Sequence, residues 1–253
     1  MSISSLSFDI ELRVVHQHDM ATVMNMKLTG LTLGFFEIFR TLTGEERDAI
    51  ARKMSCKQYE AGEYVIPSPT DDRHVYFLVS GLVKACAYNH SGKQVYFQDL
   101  TPGMMFGELA AIDNGERTSD CICTETSVVA SLGRQRFLEM LDDHPSAKSQ
   151  VLNRLVSMVR VQLQRVYEYT SYSVNQRVRF ELLRLIADAG DDEPPIRLES
   201  VPTQADIADR ISSHREAVSR ELKALDSEGL ITWKRGEHVI HDPARLMQRA
   251  RLS

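Results

Sequence analysis

Two stretches of this chain gather residue types that could do chemistry. In Met105-Phe-Gly-Glu-Leu-Ala-Ala-Ile-Asp-Asn-Gly-Glu-Arg-Thr-Ser119, Gly107 lets the backbone come close to an anion. A helical turn starting there would aim the N–H groups of Glu108, Leu109 and Ala110 at it. Arg117 offers a planar, two-pronged countercharge suited to phosphate, leaving Glu108 to accept from a sugar hydroxyl. The competing reading is an internal Glu108–Arg117 ion pair, which by itself brings little stability. In the second stretch, Thr203 to Lys223, the side chains of Arg215, Glu216, Ser219, Arg220 and Lys223 fall on one outward helix face. Arginine can bond guanine O6 and N7, and glutamate can accept from cytosine N4, so the set suits G·C base edges. The competing reading there is an ordinary solvated face.

The elements that must hold these residues can be read nearby. Thr203 three residues before Asp206 is a helix start, and Ser213 before Glu216 repeats the signature as a capping box. One short helix from Thr203 to about Arg210, a turn at Ile211 to Ser213 and a second helix from about His214 to Asp226 follow. Ile207, Ala208, Ile211, Val218, Leu222 and Leu225 fall inward at helical spacing. This is a helix-turn-helix. Ile231-Thr-Trp233 and His238-Val-Ile240 around Lys234-Arg-Gly236 add a wing whose tip can touch phosphate, and Pro243 opens a last helix.

The segment Ser213 to Lys223 resembles the recognition helix of the CRP/FNR (catabolite activator) family of bacterial transcription regulators. The resemblance implies base reading by Arg215, Glu216 and Arg220, with Thr203, Ser213, His214, Ser219 and Lys223 completing the DNA-facing set. It also implies a homodimer on double-stranded DNA at a palindromic, TGTGA-like site. At Ser212 the family commonly has Gly, so either Ser212 takes a positive φ or the turn differs. Phe106-Gly-Glu-Leu-Ala110 with Arg117 resembles the phosphate-binding cassette of cyclic-nucleotide-binding domains. By that likeness Gly107 and Glu108 take the ribose and backbone side, Arg117 and Thr118 hold the phosphate, and cAMP or cGMP is the allosteric ligand.

Short β-prone runs occupy Tyr64–Ile66, Val75–Val79, Val83–Tyr88, Gln94–Leu100, Cys121–Thr124 and Val128–Leu132, separated by Gly and Pro. Their spacing predicts a jelly-roll β-barrel from about Tyr59. Phe35 to Met54 reads as a helical lead-in with Thr43 as cap. From Pro145, Leu152, Val156, Val159, Leu163, Val166, Thr170 and Ser173 make a heptad seam that asks for a twofold partner helix. In the family a Thr-Ser pair on this helix touches the base. Counting from Arg154, those positions fall on Val166 and Tyr167, while this helix has Thr170-Ser171 one turn later, so Tyr167, Thr170 and Ser171 are the candidates. Gln176 to Ala189 is a further amphipathic helix, broken by Asp191 to Pro195, and the loop at Ala189 to Pro195 could by analogy face RNA polymerase.

The fold class expected is α+β: an N-terminal jelly-roll β-barrel of cyclic-nucleotide-binding type, a long dimerisation helix and a C-terminal winged helix-turn-helix. The expected divisions are an extension 1–30, a barrel domain 31–144, a dimerisation helix 145–174 and a DNA-binding domain 175–253. Within 253 residues and a net charge of −5, no apolar run approaches the roughly 20 residues of a membrane span, and a cytoplasmic protein is expected. The excess of base over acid in residues 212–253 is small, eight against six, so affinity rests on pairing and placed contacts. No metal is expected, since His16 and His18 lack further ligands, and no enzyme, since no nucleophile-base set is readable. The four cysteines are read as free thiols. The alternative is a CRP/FNR-type regulator without a nucleotide, answering to redox, haem or another effector through Cys86, Cys121 or His74.

Overall fold

A computed structural model describes residues 28–88, 94–189, 193–199 and 201–251. Residues 1–27 of the extension, with His16, His18 and the methionines at 20, 24 and 26, lie outside the described residues, as do residues 190–192 of the loop. The chain divides into two compact units: residues 1–87 with 97–155, and residues 88–96 with 156–253. The architecture is α+β.

The first unit is built on two four-stranded antiparallel sheets. One runs β1 (Ser55–Tyr59), β8 (Ser127–Leu132), β3 (Val75–Ser80), β6 (Met105–Phe106); the other runs β2 (Tyr64–Ile66), β7 (Asp120–Cys123), β4 (Val83–Tyr88), β5 (Gln94–Leu100). This is the jelly roll that the strand spacing predicts. β3 and β8 are buried on both faces: Val75, Phe77 and Ala130 pack with Phe36, Phe39 and Phe137, while Leu78 and Val129 pack with Cys121 and Cys123 of the other sheet. The lead-in is broken into α1 (Gly30–Leu33), a 3-10 turn (Glu37–Phe39) and α2 (Gly44–Ala51). The Thr43–Glu46 capping box starts α2. Phe36, Phe39 and Phe77 meet with ring centroids 5.2 to 6.3 Å apart and close this end of the core.

The segment after β6 forms α3 (Glu108–Asp113), and α4 (Arg134–Asp143) follows β8. Then comes α5 (Pro145–Ser171). Its start is part of the first core through Ala147 and Val151. Beyond that, Leu152, Val156, Val159, Leu163 and Val166 of the heptad seam are each more than half exposed.

In the second unit α6 (Val174–Ala189) starts two residues before the expected Gln176. The reason is a capping pair missed in the sequence: the Gln176 N–H donates to Ser173 Oγ, and the Ser173 N–H donates to Gln176 Oε1. β9 (Ile196–Arg197) pairs with β11 (Glu237–Ile240), which pairs with β10 (Ile231–Lys234), as a three-stranded wing. α7 (Gln204–Arg210), α8 (Arg215–Ser227) and α9 (Pro243–Arg251) complete the unit. Its core joins Val178 and Leu182 of α6 to all six inward residues expected in the helix pair. Among the described residues no helix is long and apolar enough to cross a membrane.

Candidate functional site

The cassette is set by one backbone feature. Gly107 stands at φ 78°, so β6 turns sharply into α3. A Cβ there would lie 2.7 Å from Arg117 Nη1 and 3.2 Å from the His74 carbonyl oxygen, in a region L residues avoid. Arg117, 6% exposed, is held from three sides. Nη1 donates to the Gly107 carbonyl at 2.7 Å, and Nη2 donates to Asp72 Oδ2 and to the His74 carbonyl, each at 2.8 Å. Arg117 Nε has no hydrogen-bond partner.

Glu108, 2% exposed, does not pair with Arg117. Its Oε1 lies 3.4 Å from Arg154 Nε on α5, an ion pair without hydrogen-bond geometry. Arg154 Nη2 donates instead to the Met105 carbonyl at 2.6 Å. Glu108 Oε1 is thereby the one fully buried carboxylate oxygen among the described residues that finds no hydrogen-bond donor. Leu109 is half-buried, Ala110 is buried and the Thr118 residue is exposed.

Asp72 was not singled out in the sequence. It also accepts from Tyr76 Oη at 2.6 Å, from the His74 N–H at 3.1 Å and from the His74 ring. Burial opposes its charge, but these bonds and the one from Arg117 overcome that and hold its carboxyl well below the usual carboxylate range. Tyr76 in turn stacks on Phe106, with centroids 5.4 Å apart. The only hint in the sequence was an acid-rich loop, Asp71-Asp72, beside a strand.

Tyr167, Thr170 and Ser171 lie in the part of α5 that groups with the second unit. Thr170 Oγ1 turns back onto its own helix, donating to the Val166 and Tyr167 carbonyls. The Tyr167 ring meets Tyr172 edge-on.

In the helix pair, the Thr203–Asp206 capping box starts α7. The expected Ser213–Glu216 box is absent. Ser213 is drawn into the turn, its N–H donating to the Ala208 carbonyl at 2.8 Å, and α8 begins after His214, whose side chain makes no cap bond. Ser212 accommodates the turn by taking φ 51°. Arg215, Glu216, Arg220 and Lys223 are exposed along α8, with Ser219 half-buried; His214 and Thr203 are exposed and Ser213 is buried. Glu221, between them in sequence, faces inward and bonds Arg179 of α6 at 2.6 Å. Its position three residues after buried Val218 was the available signal.

His74, Cys86 and Cys121, the residues of the redox and haem alternative, are otherwise engaged or buried. The His74 ring is bonded to Asp72, and Cys86, Cys121 and Cys123 are buried. Burial pushes the Cys121 thiol up to about 12 and that of half-buried Cys56 to about 11. Only the thiolate reacts, so at pH 8 native Cys56 and Cys121 are expected to label with N-ethylmaleimide roughly a hundredfold and roughly a thousandfold more slowly, respectively, than in the denatured chain. Fast uptake by Cys121 in native buffer would bring the redox reading back.

Residues 56–144 match the family model described as the cyclic nucleotide-binding domain, and residues 176–249 match the Crp-like helix-turn-helix domain. A domain of the first kind followed by a winged helix-turn-helix defines a transcription regulator that binds DNA. The chain belongs to the CRP/FNR family of such regulators, whose members are not enzymes. It is 26% identical over 215 residues to the CRP-like cAMP-activated global transcriptional regulator of Mycobacterium tuberculosis, covering 85% of this chain and 96% of that relative. It is 24% identical over 209 residues to the cyclic AMP receptor protein of Thermus thermophilus, covering 83% and 94%. In fold it is similar to a mutant of CooA from Carboxydothermus hydrogenoformans, with a TM-score of 0.72 at 15% identity over 89% of this chain and 97% of that one.

Proposed function

We propose that the protein is a homodimeric transcription regulator gated by a 3′,5′-cyclic nucleotide, cAMP or cGMP. The observation that carries this reading is the buried Glu108 carboxylate with an oxygen lacking a hydrogen-bond donor, next in sequence to Gly107, whose carbonyl is held by the buried Arg117 guanidinium with its Nε–H unpartnered. A ribose hydroxyl supplies the donor and a cyclic phosphate the acceptor. Gly107, Glu108, Leu109, Ala110, Arg117 and Thr118 form the ligand site in this reading, with Tyr167, Thr170 and Ser171 as candidates for the base. The names of the two relatives support cAMP.

Arg154 gives the long helix a direct stake in the site. It lies against Glu108 and bonds the strand that leads into Gly107. A hydroxyl bound at Glu108 would redistribute those contacts, and such an event can favour one dimer arrangement only by binding it more tightly. The exposed seam of α5 supports a twofold partner helix, and the outward Arg215, Glu216, Ser219, Arg220 and Lys223 support reading of a palindromic, TGTGA-like site by two copies. Such a regulator works in the cytoplasm beside DNA and acts on RNA polymerase. Domain boundaries near residues 30, 144 and 174 fit this division of labour.

Titrating the purified protein with cAMP and cGMP separately, while following a fluorescent palindromic duplex, tests the proposal. One nucleotide is expected to raise DNA affinity by about 5- to 150-fold, the usual range of coupling between sites. Equal DNA affinity with and without either nucleotide would sink it.

A further inference from the structure

A set of charged side chains in the second unit takes no part in either candidate site. Glu168, 5% exposed near the end of α5, pairs with Arg184 of α6. Arg184 also donates to Glu181 at 2.7 Å, and Glu181, 2% exposed, accepts from Arg210 Nη1 at the end of α7 at 3.2 Å. The charges alternate from the long helix to the first helix of the reading pair.

A second set of bonds runs beside the first. The Arg210 carbonyl accepts from Arg165 Nη1 at 3.1 Å and from Tyr169 Oη at 3.0 Å, both on α5. The next carbonyl, Ile211, accepts from Arg177 Nη1 at 2.7 Å. The last carbonyls of α7, left without partners by the helix end, are thus capped by the long helix and its successor. From α6 the buried Arg179–Glu221 pair reaches α8 itself.

With Glu168 and Glu181 buried and Arg184 and Arg210 only partly so, these charges hold together or part together, because removing an arginine strands a glutamate out of water. Such a network favours discrete arrangements over intermediate ones, the property that a coupling element needs. We infer that Glu168, Arg184, Glu181 and Arg210, together with Tyr169, transmit a change in the long helix to the orientation of the reading helix. The inference rests on the ligand-gated reading above. If the set were only a brace, breaking it would weaken DNA binding equally with and without nucleotide.

The test uses the full chain with Glu168→Gln and, as a milder change that removes a single hydroxyl, Tyr169→Phe. DNA affinity is measured with and without cAMP or cGMP, whichever acts on the wild type, and nucleotide affinity with and without DNA. In each variant the ratio of DNA affinities is expected to fall by roughly 2- to 30-fold. The same factor must appear in the nucleotide measurement, since coupling is reciprocal. Nucleotide affinity without DNA is expected to stay within about twofold of the wild type, as these groups lie outside the cassette. A wild-type ratio preserved in both variants overturns the inference alone. A wild-type ratio of one sinks the ligand-gated reading and this inference with it.

Discussion

Replacing Arg117 by glutamine is expected to weaken cyclic nucleotide binding by about two orders of magnitude. The change removes the one guanidinium that lies against both Gly107 and Asp72, with an Nε–H still to donate. A charge-assisted hydrogen bond is worth about 1.5 to 3 kcal/mol, and two such bonds to one phosphate reach at least about 3 kcal/mol, or roughly a hundredfold. Calorimetric titration reads the effect directly. Because Arg117→Gln leaves the Asp72 carboxylate without its guanidinium, the double variant with Asp72→Asn is the control for folding. Removing both charges together avoids the uncompensated anion that a single change leaves behind. If either variant melts like the wild type and binds nucleotide within about threefold of it, Arg117 is not the phosphate ligand.

Arg220→Ala has the second large effect, and on the other ligand. Arg220 is exposed on α8, so its loss should disturb folding by no more than about 0.5 kcal/mol. A bidentate arginine-to-guanine contact is worth about 1 to 3 kcal/mol of discrimination, and a palindrome presents it in each half-site. Specific binding is therefore expected to fall by roughly 30-fold or more, while binding to a scrambled duplex changes little and nucleotide affinity stays within about twofold. Competition between the two duplexes at fixed salt measures the ratio. Parallel loss on both duplexes would assign Arg220 to phosphate instead, and parallel loss of nucleotide affinity would contradict the separation of the two sites.

What could be read in the sequence was local. The Thr203–Asp206 cap, the inward spacing from Ile207 to Leu225 and the turn glycine at position 107 depend on neighbours within a few residues, and each is found. The Ser213–Glu216 cap had the same local signature and failed because a longer reach prevailed, the bond from the Ser213 N–H back to Ala208. β1 was missed because Ser-Cys-Lys-Gln-Tyr has no apolar alternation. It is a strand because β8 offers a full antiparallel register, from Ser55 opposite Ser131 to Tyr59 opposite Ser127. Asp72 and Arg117 stand 45 residues apart, and only the packing of β3 against β6 beside the cassette brings them together. The heptad spacing of α5 was legible for the opposite reason, since it repeats one rule over many turns.

The outward row from Leu152 to Val166 has a consequence for how the protein behaves in quantity. In the proposed dimer, five large aliphatic residues along one helix would remain in water until a second copy covered them, so pairing would be second-order in chain concentration. Copy number then enters the dose response as a variable in its own right. A cell making more of the regulator would shift both the midpoint and the steepness of its answer without any change in effector level.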